Sequence, residues 1–261
     1  TKLVKKKINK INYYTLSHLI NKSKKPIIIV GKGCNKYPNE LYKFVSLSNI
    51  PVTSTIHGVG IFPENSPLSL KMLGMHGSPV ANYSISEADL IINLGSRFDD
   101  RITGNVEKYA PEAYRAFNEH RGGIIHVNIE TSEFNKNIKS HYNYNMDCGD
   151  FLKNITPFMF YNKRYQWIHQ INKWKQEHYF KYIKPDKHKL NTQMVIEMIN
   201  NYLDSCKKWK ITTGVGNHQM WASQFITYKN PNSLITSGSL GVMGAGLGYA
   251  IGAQIANPDY L

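Results

Sequence analysis

The sequence predicts an α/β fold built on a doubly wound parallel sheet, and three observations carry that reading. Apolar runs of strand length alternate with segments of helical period along most of the chain. Several of those runs end in a glycine or a small polar residue: Gly31, Thr55, Gly95, Asn128 and Gly149. The 261 residues are 41% hydrophobic, enough for a sizeable core and for one large or two ordinary domains.

The elements follow in order. Residues 1–14 are basic and read as a linker. From Thr15, a plausible N-cap, Leu16, Leu19 and Ile20 recur at helical spacing. PIIIV (Pro26–Val30) reads as a buried parallel strand running into Gly31-Lys32-Gly33. LYKFVSLSN is a helix, and IPVTSTIHGVG (Ile50–Gly60) a strand ending in glycines. ANYSISEA is helical, DLIINLGSRFDD opens as a strand, and GGIIHVNIE is a strand. HYNYNMDCGD is extended into a turn, and DFLKNITPFM is a helix. These make a domain over 15–160, with ligand-facing loops at the sheet's C-terminal edge. A polar helix, RYQWIHQINKWKQEHYF, lies in a connector over 161–190. A second α/β unit over 191–261 starts with the helix TQMVIEMINNYL, then the strand KWKITT and the helix NHQMWASQFI. The strand NSLIT and a glycine-dense helical segment complete it.

Composition excludes several classes. No apolar run approaches the roughly eighteen residues needed to cross a bilayer, so no membrane role is expected. Formal net charge is +14, but the lysines scatter in pairs over the chain instead of forming one stripe. Nucleic-acid binding is therefore not expected. Cys34, Cys148 and Cys206 are far apart and odd in number, which argues for a reducing compartment and against a disulfide framework or a zinc site. The chain begins at Thr1 without a signal-peptide pattern and is read as a fragment or a processed form.

Four stretches carry chemistry, each with a plainer reading beside it. Gly31-Lys32-Gly33 is either a tight strand-to-helix turn or a close approach to a ligand. GSRFDDR offers Arg97 and Arg101 to a phosphate, with Asp99 and Asp100 balancing charge or fixing the loop; it reads equally as a salt-bridged surface loop. LGMHGS places Met75 and His76 between glycines, where they could flank a flat ring. TSGSLGVMGAGLGYAIGA presents backbone to a ligand near Met243, while close helix packing through small residues accounts for Gly252 and Gly248.

Taken together, LGMHGSPVANYSISEADLIINLGSRFDDRITGN, PEAYRAFNEHRGGIIHVNIE, TTGVGNHQMWASQF and ITSGSLGVMGAGLGYAIGAQIANP resemble the acetolactate synthase (acetohydroxyacid synthase) catalytic subunits, in that family's order and spacing. The resemblance runs from about Lys24 to the end and is nearest the fungal branch. It implies a thiamine-diphosphate enzyme that decarboxylates pyruvate and joins the two-carbon remainder to a second 2-ketoacid, in branched-chain amino-acid biosynthesis. This chain would be the Rossmann-like FAD-binding central domain and the start of the diphosphate-binding domain. The resemblance places the activating glutamate in an N-terminal domain and the Mg²⁺ ligands beyond Leu261. The piece alone is expected to be inactive.

The resemblance also implies site residues. For FAD these are Gly31, Lys32 and Gly33 at the dinucleotide, with Thr55, Ile56 and His57 lining it. Leu73, Gly74, Met75 and His76 would lie by the flavin, and Gly95, Ser96, Arg97, Asp99 and Arg101 by the ribityl phosphate. Asn128, where an acidic residue is usual, and Ile129 would meet the adenosine, closed off by Gly149 and Asp150. For thiamine diphosphate they are Gly216, Asn217, His218, Gln219 and Met220 at a helix start, with Asn217 where Gln is usual. Gly238, Gly241 and Met243 would meet the aminopyrimidine. Gly248 departs from the family's usual proline. Further implied are a homodimer or higher homo-oligomer, a regulatory small subunit, and a mitochondrial site for a fungal-type protein, with plastid or cytoplasm otherwise. Two alternatives stay open: another thiamine-diphosphate carboligase or oxidase, and a degenerate, non-catalytic FAD-binding module.

Overall fold

The computed structural model describes residues 12–261, so the basic segment expected over 1–14 lies mostly outside the described residues. The first unit runs α1 (Tyr13–Lys22), β1 (Pro26–Val30), α2 (Pro38–Ser48), β2 (Val52–Ser54), β3 (Ser69–Met72), α3 (Pro79–Glu87) and β4 (Leu90–Leu94). It continues with α4 (Asp100–Thr103), α5 (Pro111–Asn118), β5 (Gly123–Asn128), β6 (Tyr142–Asn145), α6 (Cys148–Ile155) and α7 (Tyr165–Glu177). The six strands form one sheet in the order β3-β2-β1-β4-β5-β6, and every pairing is parallel. That is the doubly wound order, and its crossover reverses between β1 and β4.

Period-two alternation explains why helices cover both faces. Ile28, Val30, Leu90, Ile92, Ile125 and Val127 point into one core with α1, α2 and α6. Ile27, Ile29, Ile91 and Ile124 point into the other, against α3 and Trp167 and Ile171 of α7. The isoleucines of β1 are fully buried, each contributing about 1.5–3 kcal/mol. Helix α7, read from sequence as polar, also anchors itself by donating from the Trp167 Nε1–H to the Pro26 carbonyl at 3.1 Å.

Helices α1, α2 and α7 meet at Arg164. Its buried guanidinium donates to the carbonyls of Ile20, Ser23 and Ser48, which lie at the C-terminal ends of α1 and α2. Burial pushes its pKa down to about 10. The carbonyls satisfied there are groups a helix end leaves without an intrahelical partner.

The second unit comprises α8 (Thr192–Leu203), β7 (Ile211–Thr213), α9 (Asn217–Phe225), β8 (Leu234–Thr236) and α10 (Gly246–Ala256). β7 and β8 pair in parallel. Val59 and Met72 of the first unit share a core with Ile196, Leu203, Ala222, Ile226 and Tyr228 of the second.

Four expectations are corrected. The N-cap of α1 is Asn12, whose Oδ1 accepts from the Thr15 N–H, not Thr15. The strand expected over Ile50–Gly60 is only Val52–Ser54, because the chain turns into a 3₁₀ segment at Ile56–Gly58. β3 was not foreseen: its ladder to β2 is irregular and Lys71 sits at φ +59°, so alternation is broken inside four residues. Among the described residues nothing packs on Gly248 or Gly252, since a Cβ on either would meet no atom within 4 Å.

Candidate functional site: the sheet edge and its glycine crevice

The C-terminal ends of β1 and β4 come together at the crossover reversal. The Gly31 N–H donates to the Leu94 carbonyl at 2.8 Å, and the Gly33 N–H to the Gly95 carbonyl at 3.1 Å. A Cβ on Gly31 would stand 2.3 Å from the Gly95 oxygen, and one on Gly33 2.7 Å from the Gly95 Cα. The glycines are thus required by backbone meeting backbone, and the turn reading of Gly31–Gly33 accounts for them. The same pinch brings two strand ends to one crevice, where open α/β sheets take ligands.

The loop after β4 is fixed from below. The Ser96 carbonyl is approached by the amides of Asn93 and Asn128, each at 3.2 Å, and by His126 Nε2 at 2.9 Å. The Ser96 hydroxyl donates to Asn93 Oδ1 at 2.6 Å. Burial lowers the pKa of His126, so the ring is neutral and donates through Nε2. Asn93 and His126 were not singled out from sequence; a polar residue inside each otherwise apolar strand was the available signal. Asn128 is partly used by this network, because its Oδ1 also accepts from the Glu130 N–H at 3.0 Å. One amide N–H and one Oδ1 lone pair remain for a ribose, and the exposed Ile129 stands next to them.

Above this floor the charge is positive. Lys32, Arg97 and Arg101 are exposed at the edge. Arg97 reaches Asp99 only at 3.8 Å, and Arg101 reaches Asp100 at 3.9 Å, so the pairs are long and weak. Asp99 is occupied as the N-cap of α4, accepting from the Ile102 N–H at 3.2 Å. His57 lies among these groups. Burial, then the cations Lys32 and Arg97, lower its pKa, with Asp99 opposing. Two cations held near a neutral imidazole, with little counter-charge, suit an anion such as a diphosphate.

The remaining positions flank the crevice. Thr55 and Leu73 are buried, their N–H groups donating to the Val30 and Ser54 carbonyls at 3.0 Å each. Ile56 and His57 meet the second unit: a Cβ on Gly238 would lie 2.7 Å from the Ile56 side chain, and His57 Nε2 is 3.2 Å from the Ser239 hydroxyl. Asn82, another residue missed from sequence, clamps Gly74 by exchanging two 2.9 Å bonds with its N–H and carbonyl. Met75 is 60% exposed beside it, and the His76 carbonyl accepts from Gln224 at 2.8 Å. Gly149 is required because a Cβ would meet the Tyr37 ring at 2.5 Å; Asp150 is exposed in the first turn of α6.

In the second unit, Gly216 opens α9 at φ +150° with no side-chain cap and no acidic residue in the first turn. Asn217 is exposed, and the His218 ring folds to 3.3 Å from the Cβ position of Gly216. Gln219 is buried and turned inward, donating to Thr236 Oγ1 at 2.7 Å and the Ser237 carbonyl at 3.3 Å; it joins α9 to β8. Met220 is half-buried. Gly241 at φ +67° and Gly244 at φ +79° bracket Met243, which is 80% exposed.

Comparison with known proteins bears on this geometry. Residues 15–155 match the thiamine pyrophosphate enzyme central domain, and residues 214–260 the thiamine pyrophosphate enzyme C-terminal TPP binding domain. The mitochondrial acetolactate synthase catalytic subunit of Saccharomyces cerevisiae is 44% identical over 252 residues, covering 93% of this chain and 36% of that protein. The mitochondrial acetolactate synthase of Schizosaccharomyces pombe is 43% identical, covering 93% and 38%. The chloroplastic acetolactate synthase of Arabidopsis thaliana is 40% identical, covering 92% and 35%. The chain therefore spans little more than a third of the length of these relatives.

Proposed function

The chain belongs to the thiamine pyrophosphate enzymes, and from that premise we propose that it forms part of an acetolactate synthase catalytic subunit. The whole protein would condense pyruvate with a second 2-ketoacid, pyruvate or 2-ketobutyrate, with loss of CO₂. The observation that carries the cofactor side of this reading is the crevice between β1 and β4: a glycine pinch beneath Lys32, His57 and Arg97, with weakly paired positive charge.

That crevice fits the diphosphate of FAD. Lys32 and Arg97 would hold it, the Ser96 network would keep the 95–99 loop in place, and Met75 would offer a soft apolar surface to the flavin ring. Asn128 fits less well, since one of its amide N–H groups is held by Ser96 and its Oδ1 by the Glu130 N–H. In the second unit, the uncapped start of α9 directs the N–H groups of Asn217 and His218 and the positive helix end toward an anion. This supports diphosphate binding by backbone, with Gln219 holding the helix instead of touching the ligand. Thiamine diphosphate, when bound, supplies the carbon nucleophile that lets a 2-ketoacid lose CO₂. The protein's residues orient it and exclude water. Mg²⁺ enters as the diphosphate's counter-ion; among the described residues no His, Cys, Asp and Glu cluster would hold it. A mitochondrial location follows for the proposal from the names of the fungal relatives. Homo-oligomerisation and a regulatory small subunit belong to the same proposal.

The test is flavin retention. The purified chain is incubated with FAD, desalted, and its visible spectrum recorded. Retained flavin absorbance that disappears in Arg97→Met supports the crevice. A colourless protein that is otherwise folded refutes it.

A further inference from the structure

A second cavity, of about 340 Å³, opens away from the glycine crevice. Its walls come from four places: the edge strand β3 and the segment before it, the start of α3, the end of α7 with the residues after it, and the end of α9. We propose that this cavity binds a small aliphatic monocarboxylate.

The charge inside is unbalanced. Lys71 donates to the Gln224 carbonyl at 3.0 Å and the Ile226 carbonyl at 3.5 Å, which leaves one ammonium N–H. Lys175 donates to the Pro67 carbonyl at 2.6 Å, which leaves two. Neither has a carboxylate within ion-pair distance among the described residues. Burial of Lys175 pushes its pKa down to about 8, as expected of an ammonium short of counter-charge.

The acid in the wall is Glu64, which is 8% exposed. Its Oε2 accepts from the Tyr228 N–H at 3.0 Å, and its own N–H donates to the Tyr228 carbonyl at 2.9 Å. Among the described residues its buried Oε1 has no partner, a costly state that a ligand would relieve. Burial raises this carboxyl to about 7, against the pull of Lys71. Below that pH it is an O–H donor. The groups facing it are Lys71 from β3 and Tyr228 after α9, and Lys175 and His178 of the α7 end line the same cavity.

Three donors, two of them cationic, therefore line the cavity. Leu70, Val80 and Phe225 line it as well and supply an apolar wall. A carboxylate satisfies the donors and an aliphatic tail covers the wall; a metal cation would face two ammonium groups, and phosphate would leave the wall uncovered. This inference is independent of flavin or thiamine diphosphate binding.

Pentanoate is titrated into the purified chain by calorimetry, with pentanamide and inorganic phosphate as comparison probes. The expected result is saturable 1:1 binding of pentanoate, with the amide and phosphate each at least tenfold weaker. Lys175→Met, in a half-exposed position that keeps the methylene packing, should weaken pentanoate at least tenfold with an unchanged urea midpoint. Pentanoate should bind more tightly at pH 6 than at pH 8, because Glu64 loses its proton and Lys175 begins to lose its own over that range; Glu64→Gln, which retains a donor, should reduce that dependence and leave the part due to Lys175. No saturable pentanoate binding, equal binding of acid and amide, preference for phosphate, or undiminished binding in Lys175→Met would each overturn the proposal.

Discussion

Replacing Gly31 with alanine isolates the close approach at the crossover reversal. Gly31 has φ −104° and ψ −178°, extended backbone that alanine adopts freely. Any penalty must therefore come from space. The added Cβ would lie 2.3 Å from the Gly95 oxygen, a contact that must open beyond 3.0 Å. That movement acts on three backbone bonds: Gly31 N–H to Leu94 at 2.8 Å, Gly33 N–H to Gly95 at 3.1 Å and Gly95 N–H to Val127 at 2.9 Å. Overpacking costs about 1–3 kcal/mol, and weakening one or two of these bonds adds about 1 kcal/mol each, so the expected loss is roughly 2–5 kcal/mol. Urea denaturation followed by tryptophan fluorescence measures it, and flavin retention should fall in parallel. Gly248→Ala is the counterpart. It sits inside α10 with open space around its Cβ position, so it should stabilise by about 0.5–1 kcal/mol. Unchanged stability in Gly31→Ala would refute the argument that backbone contact, not flexibility, requires glycine at that point.

Two further perturbations read other parts of the molecule. Arg164→Leu removes the donor to the Ile20, Ser23 and Ser48 carbonyls and should cost about 3–5 kcal/mol by urea denaturation, with Arg164→Lys in between; a loss under about 1 kcal/mol would mean that water replaces the guanidinium. Glu64 makes stability depend on pH. Its folded pKa is raised from the ordinary 4.5 to about 7, so the native state holds the proton more tightly than the unfolded chain. Its contribution is fully present below about pH 4.5 and is lost as pH rises through about 7, on the order of 3 kcal/mol in all. Glu64→Gln should remove that slope between pH 5 and 8 in denaturation midpoints, and an identical slope in the variant would assign the effect to other groups.

Much of the sheet was legible because its strands obey simple rules. PIIIV, LIINL and GIIHVN are short, β-rich runs buried on both faces, and each stops at a small or polar residue. β3 was not legible, since SLKM carries a left-handed lysine and an irregular ladder in four residues. The site was legible as a set of loops and not as a set of roles. Arg97 and Lys32 stand out at the edge as cations, but Asn128 and Gln219 look equally available in the sequence, and the fold commits both to internal hydrogen bonds. Asn93, His126 and Asn82 are inconspicuous in the sequence because they bond mostly to main-chain atoms, which folding brings into place.

The sequence by itself determined the alternation of strand and helix, the family motifs, and the placing of glycines and cations at strand ends. These follow from periodicity and side-chain chemistry, which are local. The tertiary structure decided which glycines are forced by a neighbouring backbone and which stand in open space. It decided which polar side chains remain free for a ligand, and it brought Glu64, Lys71 and Lys175 to one cavity. Each of those depends on distances between segments far apart in the chain, and packing, not local propensity, sets such distances.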